Sequence, residues 1–205
     1  MNYEEWFPTT IHYDIIDVDG LEKKAYKLKK ESDGRIVSNK GGWQSDELAH
    51  SKLLSKLVDD IEQKALEIHD KSYQKNTGKY KVVGIWININ NSKAFNTHHV
   101  HPDSDLCGVV YVTTPNDCGN IFFDDPRTVH RMNEHKNEHS LDNRYSYTEI
   151  KYKPEVGKIL FFPNWLYHGV EPNNSDKDRI SIAFNMKYES KLDSMKKMID
   201  NIQGK

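Results

Sequence analysis

Apolar and polar residues alternate with two different periods along this chain, and the switch falls near Gly78. Upstream of it, Leu48, Leu53, Leu54, Leu57, Val58, Ile61, Ala65 and Ile68 recur at three- and four-residue spacing, the period of one helix face. Ser45 stands where a helix cap would, followed by Asp46 and Glu47, which complement the helix dipole. The spacing predicts one long amphipathic helix from Ser45 to near Tyr73, with its apolar face laid against a sheet. Downstream the period becomes two. Val83, Ile85, Ile87 and Ile89 share a core face, while Val82, Gly84, Trp86, Asn88 and Asn90 share the other. That second face suits the wall of a polar-mouthed cavity.

Further strands are expected over 107–113, 121–124, 146–152, 158–162, 165–168 and 179–187, with turn residues between them at 115–117, 119–120, 154–157 and 172–178. A short edge strand is expected between Trp6 and Val18, and residues 21–35 form a charged stretch ending in a turn at Ser32-Asp33-Gly34. Met195, Met198, Ile199 and Ile202 fall at the spacing of a short closing helix. Many short strands after one long helix predict a mainly β protein with flanking helices, a sandwich or barrel with the long N-terminal helix packed outside. The organisation read from this is one domain over 1–205: an N-terminal arm and helix (1–78), a β-barrel core (79–189) and a C-terminal helix (190–205). Within the core, 127–145 is a polar stretch of lid-loop length. Its His130, His135 and His139 read as solvated, since nothing in their spacing makes them converge.

Composition narrows the function classes. The net charge of −2 and pI near 6.5 give no basic footprint for nucleic acid. Mean hydropathy is low at −0.83, yet the apolar residues come in tight periodic runs, unlike a disordered chain. The longest apolar run, Val82 to Ile87, is too short to span a bilayer, and the N-terminal residues carry acids where a signal peptide carries lysines. Two cysteines, Cys107 and Cys118, without CxxC spacing suit a reducing compartment, so a cytoplasmic location is expected. The oligomeric state stays open, a homodimer included.

Candidate chemistry lies in the histidines. His99 and His101 are two apart, so on an extended chain they point to one side. His168 follows an apolar strand and precedes Gly169, where a strand end can offer a third imidazole to the same point. Taken alone, His168 reads as a structural residue; taken with His99 and His101, it completes a metal site with half of a six-coordinate sphere open. Such openness serves chemistry in which substrate and dioxygen both reach the metal. Arg179, eleven residues after His168, shares a face with Ser181 while Ile180 and Ile182 face outward. A guanidinium inside a barrel is costly without a carboxylate, and no obvious acid stands nearby in sequence on the inner face, so a ligand carboxylate is a candidate partner. The Tyr111 hydroxyl can reach the same group, and Asn88 can line its pocket. Trp86 and Trp165 read as core; Asp124, Asp125 and Arg127 read as pairing with one another at a strand end.

Several stretches together carry a resemblance. FPT near the start, GWQS before the helix, HVHPDSDLCGVVYV, FFDDPR, GKILFFPNWLYHGVEPN and DRISIAFN occur in an order similar to that of the 2-oxoglutarate- and Fe(II)-dependent oxygenases, and closest to a group found in phages and marine bacteria. The likeness covers most of the chain. It implies a double-stranded β-helix (a jelly-roll, cupin-like barrel) holding Fe(II) on His99, His101 and His168. It implies that 2-oxoglutarate lies with its distal carboxylate on Arg179, helped by Tyr111 and Ser181. The implied reaction is hydroxylation of a small-molecule or protein side-chain substrate by dioxygen, with decarboxylation of the oxo acid to succinate.

One departure stands out: the superfamily pattern has His-x-Asp or His-x-Glu, and here the carboxylate slot holds His101. A shifted register using Asp103 restores a carboxylate, although Pro102 argues for the strand ending first. Two rival functions follow from the same residues, a three-histidine cupin-like metalloprotein that does not use 2-oxoglutarate and a non-catalytic barrel that only binds.

Overall fold

The computed structural model describes residues 4, 6–49, 51–72, 77–127 and 147–196. Among the described residues, two antiparallel sheets and the two N-terminal helices form three layers. In chain order the elements are β1 (His12–Ile15), α1 (Leu21–Glu31), β2 (Asn39–Lys40), β3 (Trp43–Gln44), α2 (Ser55–Ser72), β4 (Gly78–Asn90), β5 (Phe95–His99), β6 (Leu106–Thr113), β7 (Ile121–Asp124), β8 (Glu149–Tyr152), β9 (Lys158–Pro163), β10 (His168–Val170) and β11 (Arg179–Ser190). A six-stranded sheet runs β1-β9-β6-β11-β4-β3, and a five-stranded sheet runs β2-β5-β10-β7-β8. Among the described residues no strand of one is paired with a strand of the other, so the expected closed barrel is instead two open sheets facing each other.

The helical part differs from the expectation of one long helix beginning at Ser45. Ser45 is buried and bonded to β4: its backbone N–H donates to Ile87 O (2.9 Å), and its Oγ accepts from Ile87 N (3.0 Å). Glu47 Oε1 likewise accepts from Ile85 N at 2.9 Å. These side chains extend the sheet edge rather than cap a helix. Helix α2 starts ten residues later, after a 3₁₀ turn over Lys52–Leu54 whose cap is Ser51 Oγ, accepting from Leu53 N. It buries Leu57, Ile61 and Ala65 against the sheet. A second helix, α1, occupies the charged stretch. It follows Gly20, whose φ of 72° is left-handed and suits glycine, and it buries only Leu21 and Ala25, a stripe too narrow to stand out among its lysines.

The centre of the molecule is the long pairing of β4 with β11, from Arg179↔Asn90 to Ser190↔Gly78. Its two faces serve different ends. Ile85, Ile87, Ile89, Ile180, Ile182, Phe184 and Met186 point toward the helices and are fully buried. Ile180 and Ile182 thus face away from the cavity as expected, but into a second core rather than to solvent. The opposite face of the sheet, with Cys107, Val109, Tyr111, Leu160 and Phe162, meets Ile121 and Phe123 of the second sheet.

A register shift places Gly84 opposite Asn185 and Val82 opposite Met186, which leaves Val83 as the extra residue. Val83 is therefore 46% exposed and Val82 packs on the core, the reverse of the alternation read from sequence. Trp165, expected in the core, is 50% exposed in the turn between β9 and β10. Residues 191–196 are helical, and the remainder of the expected closing helix lies outside the described residues. Among the described residues no helix is long and apolar enough to cross a membrane.

The bulge predicts an asymmetry between neighbours on one strand. Ile87→Ala is expected to cost about 2–5 kcal/mol in denaturant unfolding, as for other buried large-to-small changes, and Val83→Ala under about 1 kcal/mol.

Candidate metal and co-substrate site

His99 ends β5, and His168 begins the neighbouring antiparallel β10 directly opposite it. Cross-strand register therefore sets two imidazoles side by side, with ring centroids 4.3 Å apart. His101 lies two residues past β5, in a turn whose backbone is fixed from two sides. Its N–H donates to Asn164 O (3.0 Å), and its carbonyl accepts from Ser104 Oγ (2.9 Å) and Asn164 Nδ2 (3.3 Å). Its ring stacks near Trp86 at 6.1 Å. One ligand-type atom from each of the three histidines lies within 4.8 Å of the others, and the Nε2 atoms of His101 and His168 are 3.3 Å apart. Asp103 is exposed in the turn and outside this cluster, so the shifted register does not place it with the imidazoles. The neighbouring His98 points to the other face and meets Asp124 at 3.4 Å.

Orientation and protonation both suit a cation. His99 Nδ1–H donates to Thr97 O (2.7 Å) and His168 Nδ1–H to Leu166 O (2.8 Å). That fixes the tautomer and leaves each Nε2 lone pair free to point inward. Burial favours the neutral ring. It pulls the His168 pKa down to about 3 and that of His101 to about 4, aided by the neighbouring imidazoles, and it lowers that of His99 as well.

The far end of the same cavity is built on β4, β6 and β11. Tyr111 pairs with Ser181, and Ser181 with Asn88, so one row of three strands presents a phenol, a hydroxyl and an amide. Arg179, one pleat further along, is only 1% exposed. Its Nη1 donates to the carbonyls of Cys118, Glu171 (3.3 Å) and Gly119 (3.4 Å), whereas the buried Nη2 has no partner. Burial opposes the charge on Arg179 and raises the pKa of Tyr111, whose hydroxyl is also buried without a partner. Buried polar atoms are rarely left unsatisfied. Two such donors share one cavity with three converging imidazoles, an arrangement able to receive an anionic group.

The structure thus brings His99, His101, His168, Arg179, Tyr111, Ser181 and Asn88 to one cavity. It adds Trp86, Ser38 and Asn96 to the lining, residues that sequence reasoning left as core or did not single out. Asn185 carries a further buried amide oxygen without a partner; its place on the Arg179–Ser181–Ala183 face was the signal available. Asp125 pairs with Arg127 through both oxygens (2.8 and 3.0 Å), as read from sequence, while Asp124 turns to His98 instead. The lid stretch, with His130, His135 and His139, lies outside the described residues.

A larger cavity of about 520 Å³ lies between residues 6–9 and residues 123–127. It is not where the imidazoles converge, but Phe123 and Leu166 form its wall toward His168, the Phe123 ring standing 5.9 Å from the His168 ring.

Comparison with known proteins agrees with this geometry. A family profile described as "Putative 2OG-Fe(II) oxygenase" matches residues 84–185, which hold the three histidines, Tyr111, Arg179 and Ser181. No curated protein matches the chain in sequence. Among solved structures, a prolyl-4-hydroxylase of Pseudomonas putida superposes with a TM-score of 0.61 at 13% identity, over 87% of this chain and 92% of that one. The epimerase SnoN of nogalamycin biosynthesis gives 0.63 at 12% identity, over 87% and 78%. HygX of Streptomyces hygroscopicus, with nickel and 2-oxoglutarate bound, gives 0.57 at 12% identity, over 87% and 83%. At such identities the likeness is one of fold.

Depressed imidazole pKa values carry a sign for stability. The unfolded chain takes up protons near the ordinary value of 6.5, whereas the folded metal-free protein resists until about pH 4. The metal-free protein is therefore expected to lose thermal stability as pH falls from about 6.5 toward 4. The slope should lessen in His168→Ala, measured by melting temperature against pH.

Proposed function

We infer the chemistry from family and cavity together: the chain belongs to the 2-oxoglutarate- and Fe(II)-dependent oxygenases, and its cofactors are Fe(II) and 2-oxoglutarate. In our reading His99, His101 and His168 hold the iron, and the opposite end of the cavity holds the oxo acid. The observation that carries this is the pair of orphaned buried donors, Arg179 Nη2 and Tyr111 OH, lining the same cavity as the imidazoles. A carboxylate there satisfies both, and arginine's planar fork suits it. Ser181 and Asn88 flank that carboxylate across β11 and β4.

When bound, iron and 2-oxoglutarate supply dioxygen activation coupled to decarboxylation of the oxo acid to succinate. The chain's own part is positioning and exclusion. Thr97 and Leu166 carbonyls hold two rings in the ligating tautomer, the turn at 100–105 sets the third, and Ile121, Phe162 and Val109 keep the cavity apolar between its polar ends. We read the reaction as hydroxylation of an unactivated C–H bond and the whole chain, 1–205, as one oxygenase domain. One neighbour in fold is named as a prolyl-4-hydroxylase. The lack of a carboxylate among the three candidate ligands favours a second reading, a three-histidine metalloprotein that makes no use of the oxo acid.

Anaerobic addition of Fe(II) and 2-oxoglutarate separates the two readings. The weak visible charge-transfer band of the chelate is expected for the oxygenase, and its absence from the wild-type protein would favour the second reading. Arg179→Gln should weaken oxo-acid binding by about 2–4 kcal/mol, as for other truncated buried charges, with iron binding retained. Tyr111→Phe, which removes one hydrogen bond to a charged group, should cost about 1.5–3 kcal/mol.

A further inference from the structure

Among the described residues four buried side-chain polar atoms have no partner. Three of them, Arg179 Nη2, Tyr111 OH and Asn88 Oδ1, belong to residues lining the cavity that receives the oxo acid in our reading. The fourth, Asn185 Oδ1, is left over. Asn185 pairs with Cys107 of β6 and Gly84 of β4, and directly paired side chains stand on one face of a sheet. Its amide therefore shares the inward face with Cys107, past Ala183 from Arg179.

The turn that carries His101 closes over this row. Asp105 N–H donates to Met186 O (2.9 Å), Ser104 Oγ lies 3.1 Å from Cys107 Sγ, and the same Oγ donates to His101 O (2.9 Å). The His101 backbone is tied to Asn164, just past β9, whereas its ring lies against Trp86 of β4. In the six-stranded sheet β6 and β11 stand between β9 and β4, so the His101 side chain reaches across Asn185. Trp86 leans toward the same spot: a Cβ placed on Gly84 would stand 3.7 Å from both Trp86 Cζ3 and Asn185 Cβ.

His101 also differs from the other two imidazoles. His99 and His168 give Nδ1–H to backbone carbonyls, whereas His101 Nδ1 has no partner among the described residues. Its Nε2 faces His168 Nε2, and the two nitrogens of an imidazole point to opposite sides of the ring, so Nδ1 is turned away from the cluster. A ring that ligates through Nε2 carries its hydrogen on Nδ1, and ligating imidazoles nearly always donate it to a fixed acceptor. A donor lacking an acceptor and an acceptor lacking a donor thus occupy one corner of the cavity mouth.

We propose that Asn185 is the positioning residue for His101. Its Oδ1 accepts the His101 Nδ1–H when the imidazoles hold the metal, and so fixes that ring as the Thr97 and Leu166 carbonyls fix the other two. This rests on the metal assignment above.

The test titrates Co(II) into the full chain and reads the visible d–d bands of cobalt, independent of turnover. Asn185→Leu, which removes the acceptor at similar volume, is compared in two backgrounds. In the wild-type background it is expected to weaken Co(II) binding about tenfold or more. In His101→Asp the third ligand remains but carries no ring N–H, so there Asn185→Leu should change the affinity less than about threefold. Asn185→Asp keeps an acceptor and is expected to bind at least as tightly as the wild type. Equal losses in both backgrounds, or no loss in either, would overturn the proposal and leave the metal assignment standing. A wild-type protein that binds no Co(II), or binds it equally well as His168→Ala, would remove the assignment on which the proposal rests. Melting temperatures of the metal-free proteins check folding, and should Asn185→Leu fail to fold, Asn185→Ala carries the same comparison.

Discussion

Period-two alternation along β4 and β11 is the constraint on which the molecule depends. The paired positions from Arg179↔Asn90 to Asn185↔Gly84 commit one face to apolar residues beneath the helices and the other to the cavity above the second sheet. A strand can serve a dry core and a polar cavity at once only if its register is pinned, because a slip of one residue exchanges the faces. Burial of Ile87, Ile89, Ile180 and Ile182 supplies that pinning. Asn88, Ser181 and Arg179 are held facing inward as a consequence, at a desolvation cost that the apolar face offsets. Site and core are two sides of one ribbon.

Within the cavity, selectivity comes from what is left unsatisfied. Three carbonyls occupy one nitrogen of Arg179 and fix the plane of its guanidinium. Its other terminal nitrogen, Nη2, is buried without a partner among the described residues. The imidazoles follow the same logic, with Nδ1 given to a backbone carbonyl in His99 and His168 so that Nε2 is presented in a set direction. Positions are thus fixed by the protein while the final bonds wait for a guest, which is the arrangement that lowers the ordering cost of binding.

How much of this was legible in the sequence depended on whether the signal was local. Ile85, Ile87 and Ile89 announced their strand by strict alternation, and His99, His101, His168 and Arg179 were recognisable by order and spacing. Helix α1 was missed because its buried contacts are few and its lysines dominate any window. Ser45 was misplaced because a residue that caps helices equally well accepts from a strand N–H, and the choice is made by Ile87, distant in sequence. Val83 was assigned to the wrong face because the register shift opposite Asn185 and Met186 is a property of the pair of strands. Trp86 could not be told from core by type, since its role arises from the His101 ring beside it.

The placement of the ligand-type residues has a mechanical consequence. His99 and His168 belong to the five-stranded sheet, while Arg179, Tyr111 and Ser181 belong to the six-stranded one. Among the described residues the sheets share no ladder, so between their strands they are held by side-chain packing and by side-chain bonds such as Asn90 Nδ2 to Asn96 Oδ1 (3.5 Å). In the proposed function, a ligand held at both ends would act as a rivet through the sandwich, coupling occupancy to resistance against the two layers sliding or parting.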